Sequence, residues 1–355
     1  MNPVYIIIVT ILVTLLVYFS VKLVNEGFEE YFGSGCMDYV PYRESAHYAI
    51  KPNTIFISVA SYRDSECSDT ISSIYANADH PENIYVGICQ QNNKDLPDEV
   101  CIGSDPIVQK YITNINVYNL DYTEAKGPTY ARYWCSTLWT GQEYYFQIDS
   151  HTKFVKGFDT DLLTMIKASP DKTILSCYPP TEEQLTQDGV PIIDSCKIIS
   201  SLPVFYAGIH STDSKVPIKS PKPFVAAGFM FLKSDFLFTV PYDPMLSGLF
   251  QGEEVLFSAR LFTDGYNVYA PNKKICSHHY AREGPLFFKD IKGNAECRSK
   301  AEKKVLFLLG LTDQNSVAED FLRDHNRYGL CKVRDISEFW TLAGLKVVNG
   351  SLELV

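Results

Sequence analysis

One feature constrains this chain more than any other: from residue 54 onward, strand-like and helix-like runs alternate. "TIFISVASY" (54–62), "NIYVGICQQ" (83–91), "INVYNLDY" (115–122), "YYFQIDS" (144–150) and "TILSCYP" (173–179) are short and rich in β-branched and aromatic residues. Between them, "DTISSIYANA" carries apolar residues at helical spacing with Asp69 as its N-cap. "GPTYARYWCSTLW" enters a helix through Gly-Pro, and "FDTDLLTMIKA" opens a third. Strands that take turns with helices predict an α/β fold, a Rossmann-like, mostly parallel sheet flanked by helices. Further on, "FVAAGFMFLKSDFL" reads as a strand and turn, "GEEVLFSARLFTDG" as a helix closed by Gly265, and "NVYAP" as a short strand. Residues 178–222, full of Pro, Ser, Asp and Thr, read as long loops. From Ala301 the chain reads as helical.

Ahead of this domain, Val4–Val24 is almost wholly apolar, with Lys22 as its one charge. As a helix it would span about 30 Å, the hydrocarbon thickness of a bilayer. A cleaved signal peptide fits less well, because no basic region precedes the run and no A-x-A-like site follows it. The expectation is a single-pass transmembrane helix over 1–24 and a stem over 25–52. Its orientation stays open: Lys22 favours a cytosolic domain, whereas the sequon Asn349-Gly350-Ser351 points to a lumenal one. The net charge of −10 and the lack of a Lys/Arg block argue against nucleic acid as a partner. Of ten cysteines none forms a C-x-x-C pair, so a zinc ribbon or finger is not expected. Cys89, Cys135 and Cys177 sit within apolar runs as small buried hydrophobes.

Parallel α/β sheets bind ligands beyond the carboxyl ends of their strands. Asp149 and His151 lie at such an end, two positions apart, where period-2 geometry puts both on one face. A carboxylate and an imidazole placed this way either share a divalent cation or form a buried ion pair that closes the strand. "SYRD" after the first strand and "QQNN" after the second reach the same end. Arg63 either meets a ligand there or pairs with Asp64 or Asp69. Glu253 and Glu254 open a helix, where the macrodipole favours carboxylates in any case.

Several of these stretches resemble known families. "IDSHTKFVKGFDTDLL" is similar to the Asp-Ser-His segment of the polypeptide N-acetylgalactosaminyltransferases. "GPTYAR" resembles their Gly-x-x-x-Ala-Arg helix start, "FQGEEVLFSARLF" their Trp-Gly-Gly-Glu-Asn segment, and "HYAR" their His-x-x-Arg. That resemblance implies a metal held by Asp149, His151 and His279, with His279 preferred to His278. It also places Gly127 and Arg132 beside the nucleotide and Arg282 against the diphosphate, with Glu253, and Glu254 beside it, as carboxylates on the acceptor side. Ala60, Ser61, Arg63 and Gln90, at the ends of the first two strands, complete the expected donor site with Asp149.

A closer resemblance, in six ordered stretches from about residue 54 to 348, is to the N-acetylglucosaminyltransferase family that modifies protein hydroxyproline or starts mucin-type O-glycans. It implies a GT-A fold over a catalytic domain at 53–300, with 301–355 as a helical extension packed on it. It further implies UDP-GlcNAc as donor, Mn²⁺ or Mg²⁺ as cofactor, a protein or glycopeptide acceptor, and retention of anomeric configuration to give an α-linkage. Whether retention runs through a covalent intermediate or same-face attack stays open, as does the oligomeric state. Two other readings stand beside this one, a transferase for another UDP-hexose and a non-catalytic sugar- or nucleotide-binding membrane protein. The presence of all the expected parts argues against the second.

Overall fold

A computed structural model of the chain describes residues 48–93, 95, 100–281, 284–290 and 295–355. The anchor expected over 1–24 lies outside the described residues, as do Arg282 and all of the stem up to residue 47. No helix among the described residues is long and apolar enough to cross a membrane.

The first four strand-like runs form strands: β1 (Lys51–Tyr62), β2 (Ile84–Asn92), β3 (Ile115–Asp121) and β4 (Gln142–Asp149). All pair in parallel, in the order β3-β2-β1-β4. The remaining strands are β5 (Thr152–Phe154), β6 (Thr173–Ser176), β7 (Val190–Ile199), β8 (Leu202–His210), β9 (Ile218–Lys219), β10 (Phe229–Lys233), β11 (Asn267–Ala270), β12 (Cys276–His278), β13 (Leu345–Val348) and β14 (Ser351–Leu354). Beyond β4 the central sheet continues β10-β6-β11-β9. β10 runs antiparallel to both neighbours and β9 antiparallel to β11, so the sheet is mixed but mostly parallel. The longer helices are α1 (Cys67–Asn77), α2 (Pro128–Ser136), α3 (Phe158–Lys167), α4 (Glu253–Thr263), α5 (Ala295–Leu308) and α6 (Ile336–Ala343).

Period-2 alternation sorts β4 into two faces. Tyr144, Phe146 and Ile148 enter one core with Ile55, Ile57 and Val59 of β1, Ile71 and Ile74 of α1, and Phe158 and Leu162 of α3. Each large apolar side chain buried there contributes about 2 kcal/mol. The opposite face carries Tyr145, Gln147 and Asp149. Tyr145 packs against Phe56 and Phe236, and α2 lies over the neighbouring strands β1 and β2. Asp149 thus ends a row of buried residues on the face that α2 covers.

Two stretches differ from the sequence reading. Residues 178–222 are not loops throughout, because β7 and β8 pair as a long antiparallel hairpin. Its strands contain Pro, Asp, Ser and Gly, which are depleted in strands, and their apolar pattern is interrupted by a register shift. The extension over 301–355 is not helical throughout either. α5 already begins at Ala295, and the chain ends in the hairpin β13–β14. Asn349 and Gly350, with φ of 49° and 78°, make its two-residue turn, so the Asn-Gly of the sequon has a structural reason to be there. Cys67 and Cys101 form a disulfide that ties the start of α1 to the chain beyond β2. Cys89, Cys135 and Cys177 are free and buried, and burial pushes the Cys135 thiol up to about 12.

Candidate active site

At the carboxyl end of β4, Asp149 meets two side chains from other elements. Its Oδ2 lies 3.1 Å from His278 Nε2, and its Oδ1 accepts a hydrogen bond from Arg132 Nη2 at 3.2 Å. His151 stacks edge-on against His278 with ring centroids 4.5 Å apart. Asp149, His151 and His278 each offer a ligand atom, all within 4.8 Å of one another. Burial works to raise the Asp149 pKa. The His278 hydrogen bond and the charges of Arg132, His278 and His151 outweigh it and hold the carboxyl well below the usual range. Gly228, just before β10, abuts this carboxylate: a Cβ there would fall 2.7 Å from Asp149 Oδ2.

His151 is oriented from behind. Its Nδ1 lies 2.8 Å from Asp64 Oδ2, which also accepts from Ser150 Oγ at 2.6 Å, while Asp64 Oδ1 accepts from the Glu66 amide at 3.0 Å. Asp64 is 1% exposed, so the carboxylate that holds the partly exposed ring is itself shielded from water. A carboxylate on Nδ1 leaves Nε2 as the nitrogen available to a ligand.

The structure brings His278, not the expected His279, to Asp149 and His151. β12 runs antiparallel to β5 with His278 opposite Thr152. Cys276 and His278 therefore share the inward face of the strand, and His279, one step later, turns away. His279 Nδ1 instead lies 2.8 Å from Glu66 Oε1, and its amide donates to His151 O. The third residue that could hold a cation with Asp149 and His151 is thus His278.

Arg132 is buried in α2 and bridges Asp149 to Glu253, whose Oε1 accepts from Arg132 Nη1. Gly127, at φ 96°, and Pro128 begin this helix, and the Thr129 hydroxyl fastens it to Leu246 O at 2.9 Å. Glu253 and Glu254 are the first residues of α4 after Gly252, whose φ of 103° favours glycine. Burial raises the pKa of both, opposed at Glu253 by Arg132 and at Glu254 by the Ala227 amide. Glu254 differs from Glu253 in its partners. Oε1 accepts from the Ala227 amide at 2.8 Å and Oε2 from the Tyr178 hydroxyl at 2.7 Å.

The other expected donor-site residues reach the same end of the sheet with partners of their own. Ala60 pairs in register with both Asp149 and Cys89. Ser61 is buried, and its hydroxyl has no hydrogen-bond partner among the described residues. Arg63 pairs with Asp290, not with Asp64 or Asp69, at 2.9 Å, and lies over the Tyr122 ring. Gln90 Nε2 donates to Asn119, and its Oε1 accepts from the Cys101 amide. Asp64, Gln147, Gly228 and Tyr178 are the members of the site that the sequence reading did not single out. Their roles depend on partners 50 or more residues away, for which a single sequence carries no signal.

The donor set fits a divalent cation of intermediate hardness, with one carboxylate and two imidazoles, one of them braced by a second carboxylate. Comparison with known proteins gives three findings. A family model described as "Glycosyltransferase (GlcNAc)" matches residues 54–112 and 106–349. No curated protein matches the chain. Similar solved structures include GalNAc-T7 with UDP, GalNAc and Mn²⁺, at 14% identity and a TM-score of 0.53, covering 78% of this chain and 55% of that one. The chain thus spans about half the length of that protein, and the likeness is one of fold. TarS 1–349 of S. aureus with UDP-GlcNAc aligns at 16% identity and a TM-score of 0.48, covering 78% of this chain and 73% of its own. A mannosyltransferase of Pyrobaculum calidifontis with GDP-Man and Mn²⁺ aligns at 11% identity and 0.43, covering 88% and 77%.

Proposed function

The chain belongs to the glycosyltransferase (GlcNAc) family, and on that premise we propose that it transfers N-acetylglucosamine from UDP-GlcNAc to a hydroxyl of a protein or glycopeptide, with retention of configuration and with a divalent cation. The observation that carries this reading is the convergence of Asp149, His151 and His278 at the carboxyl end of β4, beside an arginine-paired Glu253. These three residues would hold the cation, and an oxygen with two imidazoles suits Mn²⁺ better than Mg²⁺. When bound, such a cation supplies Lewis-acid stabilisation of the charge on the leaving diphosphate.

The chain's own residues supply the rest. Asp64 fixes the His151 ring. Arg132 bridges the carboxylates of Asp149 and Glu253 and offsets part of their charge. Glu253 is the acceptor-side carboxylate, orienting the incoming hydroxyl or stabilising positive charge at the anomeric carbon. Ala60, Ser61, Arg63, Gln90 and Gly127 bound the nucleotide side at the ends of β1 and β2 and the start of α2, with Arg282 assigned to the diphosphate. The segment 4–24 anchors the enzyme to a membrane. A transferase for another UDP-hexose would keep the cation site and change the groups around the sugar.

The test offers the purified full-length chain UDP-GlcNAc, UDP-GalNAc, UDP-galactose and UDP-glucose with Mn²⁺ or EDTA, and follows UDP release. Release from UDP-GlcNAc that EDTA abolishes is the expected result. Release from a different sugar alone would overturn the donor, and absence of Mn²⁺-dependent UDP binding would overturn the site. Glu253→Gln should spare UDP binding and strongly reduce transfer.

A further inference from the structure

The chain crosses from the site into β10 through Ala226–Gly228, and the middle residue of that segment is gripped on both sides. The Ala227 amide donates to Glu254 Oε1 at 2.8 Å, and the Ala227 carbonyl accepts from Gln147 Nε2 at 2.6 Å. Each arm of this grip is itself held. Gln147 Oε1 accepts from the Tyr242 hydroxyl at 2.6 Å, and Glu254 Oε2 from the Tyr178 hydroxyl at 2.7 Å. The Ala226 amide donates to Ser176 Oγ at 2.8 Å. Gln147 is 3% exposed and shares a face of β4 with Asp149, yet its hydrogen bonds go to Ala227 and Tyr242 and not to the cation ligands.

The position of the segment gives the grip a purpose. One end of it, Gly228, touches the Asp149 carboxylate, and Ala227 is bonded to Glu254, the neighbour of Glu253. On the proposed assignment, a sugar joined to a diphosphate at Asp149 and attacked beside Glu253 would lie along this backbone, with the nucleoside toward β1 and β2. We propose that Gln147 and Glu254 are positioning residues that clamp the Ala227 peptide and so set the wall against which the donor sugar packs. This rests on the assignment of Asp149 to the cation and of Glu253 to the acceptor side. It gives Glu254 a task that needs a hydrogen-bond acceptor and not a proton-transferring acid.

Loss of either arm leaves a half-buried backbone group of Ala227 without that partner, at a cost that corresponds to about a tenfold effect. The experiment measures UDP and UDP-GlcNAc affinity by calorimetry with Mn²⁺ on the full-length chain and its variants. Gln147→Leu and Glu254→Ala should each weaken UDP-GlcNAc about tenfold and leave UDP nearly as tight as before. Glu254→Gln, which keeps a carbonyl oxygen for the Ala227 amide, should retain most of the affinity that Glu254→Ala loses. If Gln147→Leu fails to fold, Tyr242→Phe removes one hydrogen bond of the same arm at nearly constant volume and should show the same split at smaller amplitude. Equal losses for both ligands, no loss for UDP-GlcNAc in a folded variant, or a Glu254→Gln as damaged as Glu254→Ala would each overturn the clamp. A wild-type chain that binds no UDP with Mn²⁺ would overturn the underlying site and the clamp with it.

Discussion

Asp64 and Asp149 are both carboxylates among histidines, and their surroundings give them different work. Asp64 is buried, engages Ser150 Oγ and His151 Nδ1 through one oxygen and the Glu66 amide through the other. If it braces a ligand, Asp64→Ala should weaken Mn²⁺ about 10–100-fold in a titration without donor, and Asp64→Asn, which still accepts from Nδ1–H, should do less harm. Unchanged Mn²⁺ affinity with a lower melting temperature would reduce Asp64 to a link between β1 and Ser150. Asp149 makes a statement about pH. Its folded pKa lies below its ordinary value of 3.8, since His278, Arg132 and His151 outweigh burial, so the unfolded chain binds the proton more tightly. The stability it contributes is present above that value and is lost as pH falls below it. In EDTA, the melting temperature of Asp149→Asn should therefore decline less steeply than that of the wild type below about pH 4.

At the scale of elements, the strand β12 decides which histidine faces inward. The sequence "CSHH" presents two candidates, and alternation along an extended chain lets only one of them share the side of Cys276. His278→Ala should abolish Mn²⁺ binding, while His279→Ala, which removes the contact with Glu66, should leave it within about a factor of three, about 0.7 kcal/mol. The reverse ranking would return the ligand role to His279. β12 is three residues long and pairs only with the equally short β5, so its register comes from tertiary contact and no periodic signal reaches the sequence. The longer elements were legible for the opposite reason. α1 and α3 bury one face each, which writes a period of 3.6 into their residues, while β1, β2 and β4 are buried on both faces and read as near-continuous apolar runs. Arg132, inside α2, came only from the resemblance of "GPTYAR", whereas Asp149 and His151 stood out because they close such a run and Glu253 because it opens a helix. Gln147 did not, since a polar residue inside an apolar strand becomes meaningful only once Ala227 and Tyr242 are seen around it. The hairpin β7–β8 stayed hidden because its outer face is solvated and its strands mix polar with apolar residues.

Across the whole molecule, the C-terminal extension is joined to the site through charge placed in the interior. Lys304 of α5 is fully buried, and its Nζ lies 2.7 Å from Asp243 Oδ2, which is also buried. Arg260 of α4 reaches from the same region to the carbonyls of Pro241 and Gly329. Tyr242, between Pro241 and Asp243, donates to Gln147, so the strip that receives the extension also supports one arm of the Ala227 clamp. Removing one member of a buried ion pair leaves an uncompensated charge and costs about 3–5 kcal/mol, whereas neutralising both is far milder. Lys304→Ala should accordingly lower the denaturation midpoint strongly. Lys304→Met combined with Asp243→Asn should recover most of the loss, because an asparagine oxygen can still accept from the Met245 amide as Asp243 Oδ1 does. A double variant as unstable as Lys304→Ala would mean that the pair itself, and not the orphaned carboxylate, carries the stability. If the extension only stabilises the fold, every variant that still folds keeps wild-type Mn²⁺-dependent UDP affinity. If it also steadies the clamp, UDP-GlcNAc affinity falls in Lys304→Ala while UDP affinity does not.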